Sequence, residues 1–204
     1  MSTLIVTAHP DPDSLTHQAA QRLQEALGGA ATVAHLAQEG FDPRFTPDDR
    51  RTYLGQQHPD PAVVAEQERI DAHTDLVLVF PVYWWSVPGL LKGWIDRVFI
   101  TGWAFDLGDD DRIAPRLGHL TAHLLPISGT SRASFARHGY AQSFDTQIGH
   151  GILDYCGLQR GATAFLHDSE STEPGVVARE LETAVTAVVT AVGTAPTRPG
   201  EPPA

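Results

Sequence analysis

Short apolar runs alternate with longer amphipathic stretches along this chain. Leu4-Ile5-Val6-Thr7-Ala8 is a continuous apolar run that stops at His9-Pro10, the pattern of a strand buried on both faces. The cluster Asp11-Pro12-Asp13-Ser14 follows as turn and cap. Leu15, Ala19, Leu23 and Leu27 then recur at helical spacing until Gly28-Gly29, which predicts a helix over 15–27. Further strands are expected at Ala31–Leu36, Asp75–Phe80, Leu120–Ile127 and Ala162–Leu166. Further helices are expected at Val63–Ala72, at Pro88–Phe99 with Pro88 in the first turn, at 143–156 ending before Gly157, and at Glu173–Val192. Residues 38–61 are polar and carry Pro43, Pro47, Pro59 and Pro61, so they read as a long surface connection. The stretch 193–204 is Pro-rich and reads as a disordered tail. No internal repeat is visible.

The β-α-β-α rhythm over 1–192 predicts one α/β domain, a five-stranded parallel sheet with helices on both faces. The length of 204 residues suits one such domain with a sizeable core. In sheets of this kind ligands bind beyond the carboxyl ends of the strands, where the strand order reverses. Three segments follow strands one, three and four and therefore matter most: 9–17, 81–86 and 127–131.

Charge and cysteine content narrow the function classes. Fourteen Lys and Arg against 25 Asp and Glu leave a net charge of −11, which argues against a nucleic-acid partner and against a polybasic membrane anchor. One cysteine, Cys156, excludes an internal disulfide, and its place at an apolar helix end reads as buried and inert. No apolar run approaches the roughly 18 residues of a membrane span. The N-terminus lacks a basic region and a long apolar stretch, so a signal peptide is not expected, and a cytoplasmic protein without membrane insertion is.

Segment 9–17 joins a buried strand to a helix start, where free N–H groups and the positive end of the helix dipole suit a phosphate. Ser14 and Thr16 add hydroxyls and His9 a charge-assisted donor; the plainer reading is that Ser14 is only an N-cap. Segment 81–86, Pro81-Val82-Tyr83-Trp84-Trp85-Ser86, sets three aromatics at the sheet edge, as one wall of a slot for a planar ligand or as packing against a helix or a second subunit. Ser128-Gly129-Thr130-Ser131 is a small-residue loop that lets backbone approach a ligand, a weak signal by itself. The chain has no G-x-G-x-x-G after its first strand, no P-loop and no G-x-S-x-G elbow. His119 and His123 fall four apart on an expected strand without a third ligand, and read as partly buried histidines and not as a metal site. Asp109-Asp110-Asp111 reads as a solvated turn.

Together these pieces resemble the flavodoxin-like NAD(P)H:quinone oxidoreductase family. The resemblance is carried by Leu4–Pro10 with Ser14, by Phe80–Pro88 continuing through Leu90-Leu91-Lys92-Gly93-Trp94-Ile95-Asp96-Arg97-Val98-Phe99, and by Gly102-Trp103-Ala104-Phe105, with a fainter echo at Tyr155-Cys156-Gly157. It implies a flavin, FMN or FAD with FMN preferred for want of a clear adenosine-binding segment, although Arg179 is a candidate contact. The flavin phosphate would lie at His9, Ser14, Leu15 and Thr16. Its ring would rest on Pro81, Val82, Tyr83, Trp84 and Trp85, with Ser128, Gly129 and Thr130 at the pyrimidine edge. The resemblance further implies two-electron reduction of quinones or related acceptors by NAD(P)H in a ping-pong scheme, and a homodimer whose pocket is roofed by the partner. Trp103 and Phe105 are the candidates for that wall.

The sequence departs from the family pattern at three places, the mildest being Thr16 where Asn is common. The third loop has Ser128-Gly129-Thr130 where two glycines are common. Phe135 and Ala141 stand where some relatives have a Tyr and a His that relay charge; His138 and Tyr140 are the candidate substitutes, with delivery of the proton by water or substrate expected otherwise. Three other roles fit the same resemblance: a flavin-binding regulatory subunit of a potassium-efflux transporter, an electron carrier, and a reductase that tailors an aromatic metabolite.

Overall fold

In a computed structural model of the chain, residues 2–108 and 112–194 are described. The expected Asp109–Asp111 turn and the tail beyond Thr194 lie outside them. Five strands form one parallel sheet: β1 (Thr3–Thr7), β2 (Ala31–His35), β3 (Asp75–Pro81), β6 (Thr121–Ile127) and β7 (Gln159–Thr163), in the order β2-β1-β3-β6-β7. The reversal of order falls between β1 and β3, as expected for a doubly wound sheet. β1, β3 and β6 are buried throughout, which is why their sequences are nearly continuous apolar runs.

Alternate residues of those strands feed two cores, one on each face. Ile5, Val77, Val79 and Leu125 pack on α1 (Leu15–Leu27) and on the C-terminal helix, Val176–Ala191, through Ala19, Leu23, Val185 and Val188. Leu4, Val6, Leu76, Leu78 and Leu124 face Leu91, Trp94 and Val98 of the helix Gly89–Val98, and Ile148 and Leu153. Each such Val, Leu or Ile side chain, fully buried, stabilises by about 1.5–3 kcal/mol.

The α1 helix has the expected bounds because Ser14 caps it and Gly28, at φ 65°, ends it. The expected helix at 63–72 is α3 (Pro61–Asp71), and that at 88–99 is α4 (Gly89–Val98) with Pro88 as its cap. The segment 38–61 departs from expectation. Pro47–Tyr53 form a helix, α2, whose Thr46 and Asp49 cap each other reciprocally, and whose polar inner face is buried by pairing. Arg97 Nε donates to Asp49 Oδ1 (3.0 Å) and Arg97 Nη1 to the Asp42 carbonyl (2.8 Å). Burial alone would raise the Asp49 carboxyl; hydrogen bonds from Thr46 and Arg97 outweigh it and hold the group below its ordinary range. On the same face of α4, Gly93 must lack a side chain, because a Cβ there would stand 2.1 Å from the Pro43 carbonyl oxygen.

The last third differs in detail. A two-stranded hairpin, β4 (Phe105–Leu107) and β5 (Ile113–Pro115), was not anticipated, nor was α5 (Arg132–Arg137). The expected helix 143–156 starts earlier, as α6 (Tyr140–Phe144), and runs on as a π-helix over Asp145–Asp154. β7 begins at Gln159 and is irregular against β6, so that Leu166 meets Ile127 only as an isolated bridge. Helix α7, Val176–Ala191, starts after Gly175 in the left-handed region and not at Glu173.

The two histidines expected on one strand part company. His119 precedes β6, is exposed, and lies 3.6 Å from Asp71 Oδ1. His123 is fully buried: its Nδ1 accepts the Ala162 N–H (3.1 Å) and its Nε2 lies 3.2 Å from Asp75 Oδ1. Burial lowers its pKa against the opposing pull of Asp75. Gly161 leaves room for this ring, since a Cβ there would lie 2.3 Å from His123 Nδ1. Among the described residues no group of three or more His, Cys, Asp or Glu is placed to hold a metal ion. Cys156 is buried as expected, and burial pushes its thiol up to about 11.

Candidate active site

The carboxyl ends of β1, β3 and β6 lie side by side in the sheet and bring the three predicted loops to one edge. Backbone bonds tie them together: the Ala8 N–H donates to the Val79 carbonyl (3.3 Å) and the Val82 N–H to the Ile127 carbonyl (2.7 Å).

In the first loop the Asp11 N–H donates to His9 Nδ1 (3.1 Å), so a neutral His9 ring carries its proton on Nε2. Ser14 accepts the His17 N–H as N-cap (3.4 Å), which leaves the Leu15 and Thr16 N–H groups without helical acceptors. Thr16 is buried, and among the described residues its hydroxyl has no hydrogen-bond partner. The Ser14 hydroxyl is already engaged, 2.9 Å from His17 Nδ1.

His17 is the residue in this loop whose part the sequence reading missed. Its Nε2 lies 3.2 Å from Gln38 Oε1, its ring stacks on His35 at 4.6 Å, and His9 stands edge-on at 6.4 Å. His35 Nδ1 lies 2.8 Å from Thr7 Oγ1. Burial, with help from His17, lowers the His35 pKa, and Glu39 opposes this. Two imidazolium charges at this separation would repel by about 1–4 kcal/mol, depending on how far solvent screens them.

The second loop is a tight turn. Tyr83 and Ser86 exchange both backbone bonds at 3.1 Å, with Trp84 (φ 49°) and Trp85 (φ 59°) both left-handed between them. That is the backbone of a type I′ turn, built from two bulky residues that disfavour it by of order 1–3 kcal/mol each. Trp84 is 87% exposed. The turn is braced from one side, where Tyr140 stacks on Trp85 at 4.2 Å and His138 on Tyr140 at 5.4 Å. From the π-helix, Gln147 Oε1 accepts from Ser86 Oγ (3.2 Å). His138 and Tyr140 thus join the site, as ring walls. Phe135 is buried against Tyr140, Phe165 and His167, while Ala141 is exposed.

In the third loop Ser128 is buried and its Oγ turns back to Thr130, accepting the Thr130 N–H (3.0 Å). A Cβ on Gly129 would lie 3.3 Å from the Glu170 carboxyl carbon. An acidic group therefore flanks this loop, a second feature the sequence reading missed.

Trp103 and Phe105 are not at this edge. The Trp103 indole N–H donates to Asp71 Oδ2 (2.9 Å) at the end of α3, just before β3 begins, and Phe105 packs edge-on against Tyr155. They sit toward the amino ends of the strands. The cleft of about 390 Å³ that Phe105 lines is shared with Phe45, Tyr53 and Tyr155. A second cleft, of about 740 Å³, also avoids the three loops. Glu39, Asp42, Asp48, Asp49, Asp60 and Glu66 outnumber Arg69 and Arg97 in its lining, which suits no phosphate-bearing ligand.

The family described as flavodoxin-like fold matches residues 1–189. The chain is 31% identical over 178 residues to the "Ribosyldihydronicotinamide dehydrogenase [quinone]" of Mus musculus, covering 76% of this chain and 77% of the relative. Its fold is similar to the NAD(P)H:quinone oxidoreductase from Methanothermobacter marburgensis, with a TM-score of 0.82 and 23% identity over 93% of this chain and 96% of the other. It is also similar to an FMN-dependent NADH-azoreductase from Bacillus anthracis in complex with FMN, with a TM-score of 0.68 and 16% identity over 94% of this chain and 97% of the other.

Proposed function

The chain belongs to the flavodoxin-like fold family, and on that footing we propose that it is a flavin-dependent NAD(P)H oxidoreductase that reduces quinones or related acceptors by two electrons. The observation that carries this reading is the left-handed Trp84–Trp85 turn, held at the β3 end between a capped helix start and a small-residue loop. A planar cofactor with a phosphate tail fits such a seat. The Leu15 N–H and the His9 ring would hold the phosphate, and the backbone of Val82–Trp85 would meet the ring edge. A bound flavin supplies the hydride chemistry, taking two electrons from NAD(P)H and returning them to the acceptor.

The protein's own part is position and exclusion of water. The Trp85–Tyr140–His138 column walls one side of the slot. One slot serves donor and acceptor in turn, which fits the lack of a separate dinucleotide fingerprint. FMN is the cofactor proposed, in line with the structural neighbour named for FMN. The proton is delivered by water or substrate, since Phe135 is committed to the core and Ala141 has no proton to give.

The active form is proposed to be a cytoplasmic homodimer. Trp103 and Phe105 lie at the far edge of their own sheet and would wall a pocket only from a partner subunit. The exposed Phe45, Tyr53, Leu54, Leu107 and Tyr155 give that region an apolar surface. Among the described residues no helix is long and apolar enough to cross a membrane.

Steady-state oxidation of NADH or NADPH with a soluble quinone tests the shared slot. Parallel double-reciprocal lines are expected as the two substrates are varied. Intersecting lines would show that donor and acceptor are bound together, contrary to the proposal.

A further inference from the structure

We propose that His17 is a proton-coupled positioning residue: it is paired with the Ser14 hydroxyl and takes up a proton when a phosphate claims that hydroxyl. This rests on the phosphate seat proposed above and goes beyond it by linking cofactor affinity to pH.

The argument starts from hydrogen-bond inventory. With Gln38 Oε1 as acceptor, His17 carries its hydrogen on Nε2 (3.2 Å), so Nδ1 can only accept, and its partner is the Ser14 hydroxyl at 2.9 Å. Ser14 Oγ accepts the His17 N–H in turn, so its single proton is committed to the ring. An incoming phosphate offers acceptors alone and needs that proton. When the hydroxyl turns to the phosphate, His17 Nδ1 is left without a donor. Taking a proton from solvent resolves this: Nδ1–H then donates to Ser14 Oγ, and a positive charge stands beside the anion.

The surroundings are placed to limit the ring to a single charge. His35 of β2 is stacked on His17 at 4.6 Å and is held by Thr7 of β1, and burial keeps it biased to the neutral form. His9 stands at 6.4 Å. Of the carboxylates nearby, Glu39 accepts the His35 N–H and pairs with Arg69 of α3 (2.7 Å). Asp11 caps the Asp13 N–H within its own loop, and Asp13 is exposed there. Among the described residues His17 makes no ion pair; its ring partners are Ser14 and Gln38.

The test is titration of flavin-free protein with FMN and with FAD between pH 6 and pH 8.5, for wild type and His17→Gln. Gln keeps a polar contact to Ser14 but cannot gain a proton. An FMN phosphate by itself favours higher pH, because its dianion forms near pH 6; the wild-type to variant ratio removes that effect. Wild type is expected to bind more tightly than H17Q at pH 6, with the advantage shrinking by up to about tenfold per pH unit toward one at pH 8.5. Calorimetry in two buffers of different ionisation heat is expected to show more protons taken up by wild type. A ratio flat with pH, with equal proton uptake, overturns the proposal while leaving the flavin reading intact. Failure of both proteins to bind either flavin overturns both.

Discussion

Ser14→Asp is expected to remove flavin from the protein without weakening the fold. Aspartate is as good an N-cap as serine, and its charge at the start of α1 adds about 0.3–1 kcal/mol of favourable interaction with the helix dipole. The thermal midpoint is thus expected to hold or rise. The same carboxylate would stand where the phosphate must approach the Leu15 and Thr16 N–H groups, and it takes away the hydroxyl proton now shared with His17. Charge repulsion at contact distance, partly screened, weakens binding by about 3 kcal/mol or more, at least about a hundredfold in affinity. Ser14→Ala is the contrasting change: it costs about 0.5–2 kcal/mol of stability as a lost cap, with a smaller loss of affinity. Flavin retained through desalting and melting temperature are the two readouts. If S14D keeps flavin as wild type does, the phosphate lies elsewhere.

Arg97→Ala is expected to give the largest loss of stability. Arg97 and Asp49 are both buried, and the guanidinium also holds the Asp42 carbonyl and lies over the Phe41 ring at 5.6 Å. Truncation would strand the Asp49 carboxylate in the protein with only Thr46 to satisfy it. Breaking a buried pair in this way costs about 3–5 kcal/mol. Asp49→Asn together with R97A is expected to recover part of the loss, because no charge is then left buried. Urea unfolding of wild type and the two variants measures this, and a cost below about 1 kcal/mol for R97A would mean that α2 is anchored by other contacts.

The contrast between α1 and α2 shows what the chain reveals before folding. α1 has an apolar stripe, a serine cap and a glycine stop, all local, and its bounds follow from them. α2 buries a charge pair and not an apolar stripe, so its composition resembles a loop. The one local signal was Thr46-Pro47-Asp48-Asp49, a capping pattern with proline at the first helical position. β1, β3 and β6 were legible because parallel strands buried on both faces must be apolar throughout. β7 was misplaced because it is an edge strand, half-exposed and polar at Gln159-Arg160, and distorted around Gly161 and His123.

The site follows the same division. Its three loops were legible from strand order alone, since topology dictates which loops meet. What the side chains do in them depended on partners far along the chain. His17 gains its role from Gln38 and His35, Trp85 is braced by Tyr140, and Glu170 reaches Gly129 from beyond β7. Trp103 and Phe105 were read by motif as pocket wall; α4 carries the chain to the opposite edge of the sheet before either residue is reached, so both lie away from the three loops of their own subunit.

The most direct test of the central claim is an anaerobic absorption spectrum of the protein desalted after incubation with excess FMN or FAD. The expected result is retained flavin whose visible bands bleach on adding NADH or NADPH and return on adding a quinone. Retained flavin that does not bleach would contradict the oxidoreductase reading, and no retained flavin would show that the tryptophan turn serves packing alone.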